Sequence, residues 1–204
     1  MNLLLVLALV QHVAGPATLL APGEFHGDEV RAVDGDRLLA LCGGRLVETV
    51  VEIRPVSDPL LDAPDGPPSG RVVAVPCDAL ALFRGVPGLR PGRLRAAVIR
   101  PLGPERLELT LPGRPPAELR RVPLGENGFR VEIGADGRFQ PLYSTRESDE
   151  GSWSLVWAGD LNRDGRLDLL LRASHHYNVD VLRLFLAGRD GRLHEVAAFQ
   201  TTGC

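Results

Sequence analysis

Lysine is missing from this chain: all 23 of its basic residues are arginine. Such a bias has two sources, a partner that demands planar, bidentate donors or the codon usage of a GC-rich genome. The arginines are scattered and form no basic cluster. A basic excess is absent as well. Against 26 acidic residues the formal charge is -3, whereas a phosphate-binding surface needs the opposite imbalance, so no nucleic acid partner is expected. Long apolar runs are also lacking. The run from Leu3 to Val10 covers eight residues, far short of the roughly 20 that cross a bilayer, so no membrane span is expected.

Several enzyme motifs are missing too. No GxSxG elbow, HExxH zinc helix, Walker loop or GxGxxG turn occurs. No catalytic residue is assigned from sequence, although a dispersed Ser, His and Asp triad leaves no local pattern. Cys42, Cys77 and Cys204 make no CxxC pair, which removes the usual zinc and redox spacing. Three cysteines without that spacing fit an oxidising compartment, with one disulfide and one thiol left over. Cys42 with Cys77 is the expected pair, because each borders a strand-like run, "RLLALC" and "RVVAVPC", in the same half of the chain. The other pairings stay open, as does the alternative that all three are small buried hydrophobes.

What the sequence does contain begins with that Leu3 to Val10 run, followed by small and polar residues. The pattern matches a secretory signal peptide over residues 1–17, with "VAG" or "GPA" as the cleavage site and a secreted or periplasmic destination. Its first residues carry no Arg, and the alternative is a buried N-terminal strand. Beyond it, 23 Gly and 17 Pro keep every candidate element short, and no stretch of helical length shows helical periodicity. Segments such as "RLELTL", "FRVEIG" and "RLVETVVEIRPV" alternate apolar with polar residues between turn residues, the period of half-buried strands. An all-β fold of antiparallel strands follows. "SDPLLDAPDGPPSG" reads as a surface loop, and "LPGRPPAELRRVPLGENG" as a break. Two arrangements suit that break: an N-terminal β-rich region over 22–115 with a C-terminal module over 116–204, or one continuous sandwich.

The stretch "GDLNRDGRLD", Gly159 to Asp168, lies between the apolar runs "WSLVWA" and "LLL". Asp160, Asn162, Asp164 and Asp168 alternate around Gly165 in a DxNxDGxxD pattern. Calcium takes six to eight oxygens, and such a loop supplies them from Asp160, Asn162, Asp164, the backbone carbonyl of Arg166, and Asp168. Gly165 allows the sharp turn. Where a helical calcium loop ends in a bidentate Glu, this chain has Leu171, inside a strand-like run, so a pair of flanking helices is not expected. An ordinary acidic hairpin turn is the alternative.

"AGDLNRDGRLDLLL" resembles the calcium loop of FG-GAP and VCBS repeats, in which a strand, the acidic loop and a second strand form part of a propeller blade. "VLRLFLAGRDGRLHEVAAF" and "FRVEIGADGRFQPL" are similar to the later part of such a repeat, so the resemblance covers about residues 129–199. It implies a calcium-binding β-hairpin in a sandwich-like or partial propeller-blade-like C-terminal module. No copy precedes Pro115, and a complete propeller is not expected.

Three other features bear on function. "HHYNVD", His175 to Asp180, and "STRESDEGS", Ser144 to Ser152, hold histidines, hydroxyls and carboxylates in segments expected to be turns or loops. Trp153 and Trp157, four apart in a presumed strand, are expected on one face, either in the core or as a stacking platform for a sugar. Two functional classes result. The first is an exported, non-enzymatic calcium-binding module whose partner is a protein or a glycan; the second is a secreted hydrolase with a structural calcium. They separate on whether the two polar loops converge on a concave pocket with His and carboxylate in hydrogen-bond reach.

Overall fold

The computed structural model describes residues 17–203. Cys204 and all of the expected signal peptide except Ala17 lie outside them. The regular structure of the described residues is β throughout, as the short alternating segments imply. The first half supplies β1 (Thr18–Leu20), β2 (Gly23–Phe25), β3 (Arg37–Cys42), β4 (Arg45–Val50), β5 (Glu52–Val56), β6 (Gly70–Ala74) and β7 (Ala79–Arg84). Two short strands, β8 (Gly92–Arg93) and β9 (Arg95–Ala96), lead to β10 (Val98–Gly103), β11 (Arg106–Thr110), β12 (Ala117–Leu124), β13 (Gly128–Ala135) and β14 (Arg138–Thr145). The chain ends in β15 (Trp153–Asp160), β16 (Asp168–Ala173), β17 (Val179–Ala187) and β18 (Leu193–Thr202).

These strands pair antiparallel in four sheets. An N-terminal sheet has the order β1-β7-β3-β4-β8, and β2-β6-β5 form a small one. An outer sheet runs β10-β11-β12-β13-β14, and a central sheet β18-β17-β16-β15-β9. The central sheet belongs to two cores. Leu170, Leu182, Leu184 and Phe199 pack with the N-terminal sheet's Leu41, Leu82 and Phe83. Leu169, Leu171 and Phe185 pack with Leu119, Phe129 and Val131 of the outer sheet. Burial on both faces explains why "LDLLL" and "VLRLFLA" are nearly continuous apolar runs and do not alternate.

The outer sheet has only one apolar face, and its strands alternate accordingly. Its other face is a ladder of cross-strand ion pairs, Arg100 with Glu108, Arg106 with Glu118, and Arg120 with Glu132. Arg100 with Glu108 and Arg120 with Glu132 stand directly opposite, while Arg106 reaches Glu118 diagonally; such cross-strand opposite-charge pairs support register, each contributing roughly 0.2–1 kcal/mol.

Residues on both sides of Pro115 share the first core, and β9 pairs with β15. Cys42 and Cys77 form a disulfide between chain positions 35 apart, Cα to Cα 6.2 Å. The loop before β6 is tied down by Asp58, which is buried and pairs with His26.

Candidate functional site

The acidic loop closes the β15–β16 hairpin, where Gly159 lies opposite Asp168. Glycine is required at 159 by a neighbour: a Cβ there would come within 2.4 Å of the Arg95 carbonyl oxygen. Its absence lets β9 pair with the end of β15, which sets Arg95 opposite Asp160. Within the loop the chain reverses through two residues of positive φ, Arg163 at 62° and Gly165 at 81°. Glycine carries little strain in that conformation.

The loop's side chains bind its own backbone. Asn162 Oδ1 accepts the Asp164 N–H at 3.1 Å, and Asp164 Oδ1 the Arg166 N–H at 2.9 Å. Asp160 Oδ2 accepts the Gly165 N–H at 3.0 Å and a 2.8 Å bond from Arg95 Nη2. Asp168 is wholly buried. Its Oδ2 takes the Leu161 N–H at 2.8 Å and its Oδ1 the Ala187 N–H at 2.9 Å, so it ties the loop to the end of β17. Burial pushes the Asp168 carboxyl up to about 7 in spite of those backbone donors.

Two buried side-chain atoms of the loop have no partner among the described residues, the Arg163 Nε donor and one carboxylate oxygen. Asp160 is 2% exposed, and its Oδ1 is buried without a hydrogen bond. A buried, unpaired carboxylate oxygen is costly, and it is the feature here that best matches a cation donor set. The acidic side chains are not, however, gathered on one point: among the described residues no three His, Cys, Asp or Glu side chains form a metal cluster. Asp160, Asn162, Asp164 and Asp168 surround one loop while each holds backbone N–H groups. The Arg166 side chain donates to the Gly188 carbonyl at 2.7 Å and lies 3.7 Å from Asp164 Oδ2.

Three arginines to which sequence reading gave no role fix the loop, two from outside it and one, Arg163, from within it. Besides Arg95, Arg114 Nε donates to the Gly165 carbonyl at 2.8 Å, and Arg163 Nη2 to the Pro91 carbonyl at 2.8 Å. The only sequence signal for them is the arginine bias itself, because their partners lie about 50 to 70 residues away in the chain. Guanidinium suits this work, since its fixed fork of donors caps backbone carbonyls at a distance.

The "HHYNVD" and "STRESDEGS" loops do meet. His176 Nε2 lies 3.2 Å from Asp149 Oδ2, and the Tyr177 N–H donates to the Asp149 carbonyl at 3.0 Å. The meeting is a surface contact, with the Asp149 side chain 68% exposed. The second histidine nitrogen, Nδ1, accepts the Asn178 N–H at 3.4 Å. Ser174 Oγ points its hydrogen bond at the His176 backbone carbonyl, and Ser148 Oγ accepts the Gly151 N–H. Neither hydroxyl is bonded to the imidazole that would have to activate it.

Trp153 and Trp157 do not share a face, contrary to the expectation from their spacing. The β15–β16 register shifts between Leu155 and Trp157, a bulge that inserts Val156 and reverses the alternation. Trp157 therefore packs in the first core and Trp153 against the second, where its Nε1 donates to Glu105 Oε2 at 2.6 Å.

The chain matches no family model, no curated protein and no solved structure.

Proposed function

We propose that the Asp160–Asp168 loop is a calcium-binding β-hairpin of the FG-GAP and VCBS kind, in an exported, non-enzymatic protein that acts as a binding or envelope-associated module. The observation that carries this reading is the buried, unpaired Asp160 Oδ1 at the first position of the DxNxDGxxD pattern. Asp160, Asn162, Asp164, Asp168 and the Arg166 carbonyl would hold the ion. Calcium, when bound, supplies positive charge to carboxylates that the fold has buried and cross-links β15 to β16. Asp168 orients the loop entrance through the Leu161 N–H, and Gly165 turns its carbonyl outward to Arg114. Three carboxylates against a divalent ion leave the site near -1, and Arg95 adds competing positive charge. Both point to the weak, extracellular range of affinity, on the order of 0.1–1 mM. The disulfide supports the same oxidising, secreted or periplasmic setting.

The hydrolase alternative lacks support from the His176 contact, where no hydroxyl is bonded to the ring. The test of the calcium reading is titration calorimetry on chelator-stripped protein. One site with a dissociation constant in the millimolar range or tighter is expected, weakened or lost in Asp160→Asn. Absence of calcium heat, or an unchanged Asp160→Asn isotherm, refutes it.

A further inference from the structure

Between the central and outer sheets, at the end that carries the acidic loop, lies an open cleft of about 650 Å³. Its floor is the mouth of the second core, formed by Leu109, Leu111, Ile133 and Leu193, all nearly inaccessible. The rim carries Arg114, Arg138, Arg166 and Arg192, and no Asp, Glu or His is among the lining residues. Two of these arginines are engaged, Arg114 with the Gly165 carbonyl and Arg166 with the Gly188 carbonyl. Arg138 and Arg192 have no side-chain hydrogen bond or ion pair among the described residues.

The placement of that free pair is fixed by Gln140. Its side-chain amide bonds both the N–H and the carbonyl of Leu193, acting as a strand segment that joins β14 to β18. Arg138 is two residues before Gln140 on the same strand, and Arg192 directly precedes Leu193. The bridge therefore brings both guanidinium-bearing positions to one end of the apolar floor.

We propose that this cleft binds a small amphipathic carboxylate, with its apolar body on the leucine floor and its anionic head paired with Arg138 and Arg192. An apolar concavity of a few hundred Å³ with a small number of polar groups at its edge is the form small-molecule sites take. Arginine is the side chain best matched to a carboxylate, through two parallel N–H···O bonds. Like charges at the rim also repel until an anion joins them. A protein partner would need a broad surface of roughly 800 Å² on each side, which a concave cleft does not offer. The site does not depend on calcium at the neighbouring loop, so its test is run in chelator, where failure of the calcium reading has no effect.

The experiment is calorimetric titration of the intact protein with dodecanoate and, separately, with dodecanol, both below the concentrations at which they aggregate. Dodecanoate is expected to bind at one site, with dodecanol weaker by about tenfold or more, the factor that a charge-assisted hydrogen bond confers. Arg138 and Arg192 are both exposed, so the double variant Arg138→Gln/Arg192→Gln keeps the fold, checked by circular dichroism. It should weaken dodecanoate about tenfold or more and leave dodecanol unchanged. Equal affinity for acid and alcohol, no binding of dodecanoate, or a double variant that binds it normally overturns the proposal. So does a sedimentation experiment in which a second copy of the chain occupies the cleft and excludes dodecanoate.

Discussion

Replacing Arg95 by glutamine should destabilise the acidic loop without calcium and, on the proposed reading, tighten its hold on the ion. Arg95 Nη2 sits 2.8 Å from Asp160 Oδ2, with the guanidinium side chain 56% exposed and the carboxylate 2% exposed. A hydrogen bond to a charged group contributes roughly 1.5–3 kcal/mol. Solvent around the half-exposed guanidinium screens it, and about 1 kcal/mol is the realistic share. Without calcium, Arg95→Gln should lose that amount, lowering the melting temperature by about 2–4 °C for a chain of this size. On the proposed calcium reading the binding step gains what the apo fold loses, because the guanidinium competes with the ion for Asp160, so the calcium-saturated stability should be nearly unchanged. An equal gain of about 1 kcal/mol tightens the calcium dissociation constant about fivefold. Scanning calorimetry in chelator and in calcium, with a calcium titration of each protein, measures both effects. The deficit in melting temperature should shrink as calcium rises. An Arg95→Gln protein that binds calcium no better than wild type, or whose deficit is the same with and without calcium, refutes the reasoning.

Leu171 is fully buried in the second core, so Leu171→Ala should cost about 2–5 kcal/mol in denaturant unfolding. Val98→Ala, at a position 66% exposed, serves as the control and should change stability by no more than about 0.5 kcal/mol. Reduction of Cys42–Cys77, which closes a segment between positions 35 apart, should lower stability by roughly 2–4 kcal/mol, read as a fall in melting temperature with reductant. The His26–Asp58 pair predicts a pH dependence. The hydrogen bond to Asp58 raises the His26 pKa above 6.5, against burial, and the same bond holds Asp58 below 3.8. A raised histidine stabilises the fold below its unfolded pKa and loses that contribution as pH rises through the folded value. A lowered carboxylate stabilises above its unfolded pKa and loses its contribution as pH falls through the folded value. The pair should thus be most effective between those limits, and the melting temperature should fall as pH rises from the unfolded His26 value of 6.5 through its higher folded value. Asp58→Asn should flatten that slope; an unchanged slope counts against the assignment.

The sequence by itself determined the local chemistry of this protein. Alternation in "RLELT" and "FRVEI" specified strands with one wet face, and the Gly and Pro content kept every element short. The spacing of Asp160, Asn162, Asp164, Gly165 and Asp168 marked a tight polar turn, because side chains at alternate positions bond backbone groups only a few residues away. Cys42 and Cys77 were paired correctly for a similar reason, each bordering a strand of the same half of the chain. Tertiary structure decided the rest. Which strands have two apolar neighbours depends on how sheets stack, so the continuous run at Leu169 to Leu171 became interpretable only with a core on each side of it. The faces of Trp153 and Trp157 turned on a single inserted residue, Val156, and a bulge depends on the partner strand's register as well as on its own sequence. The arginines around the acidic loop and along the cleft carry no local pattern at all. Arg95 and Arg114 act on a carboxylate and a carbonyl that only the folded chain brings within reach, so Arg95 becomes the partner of Asp160 across 65 residues of sequence where β9 pairs with β15.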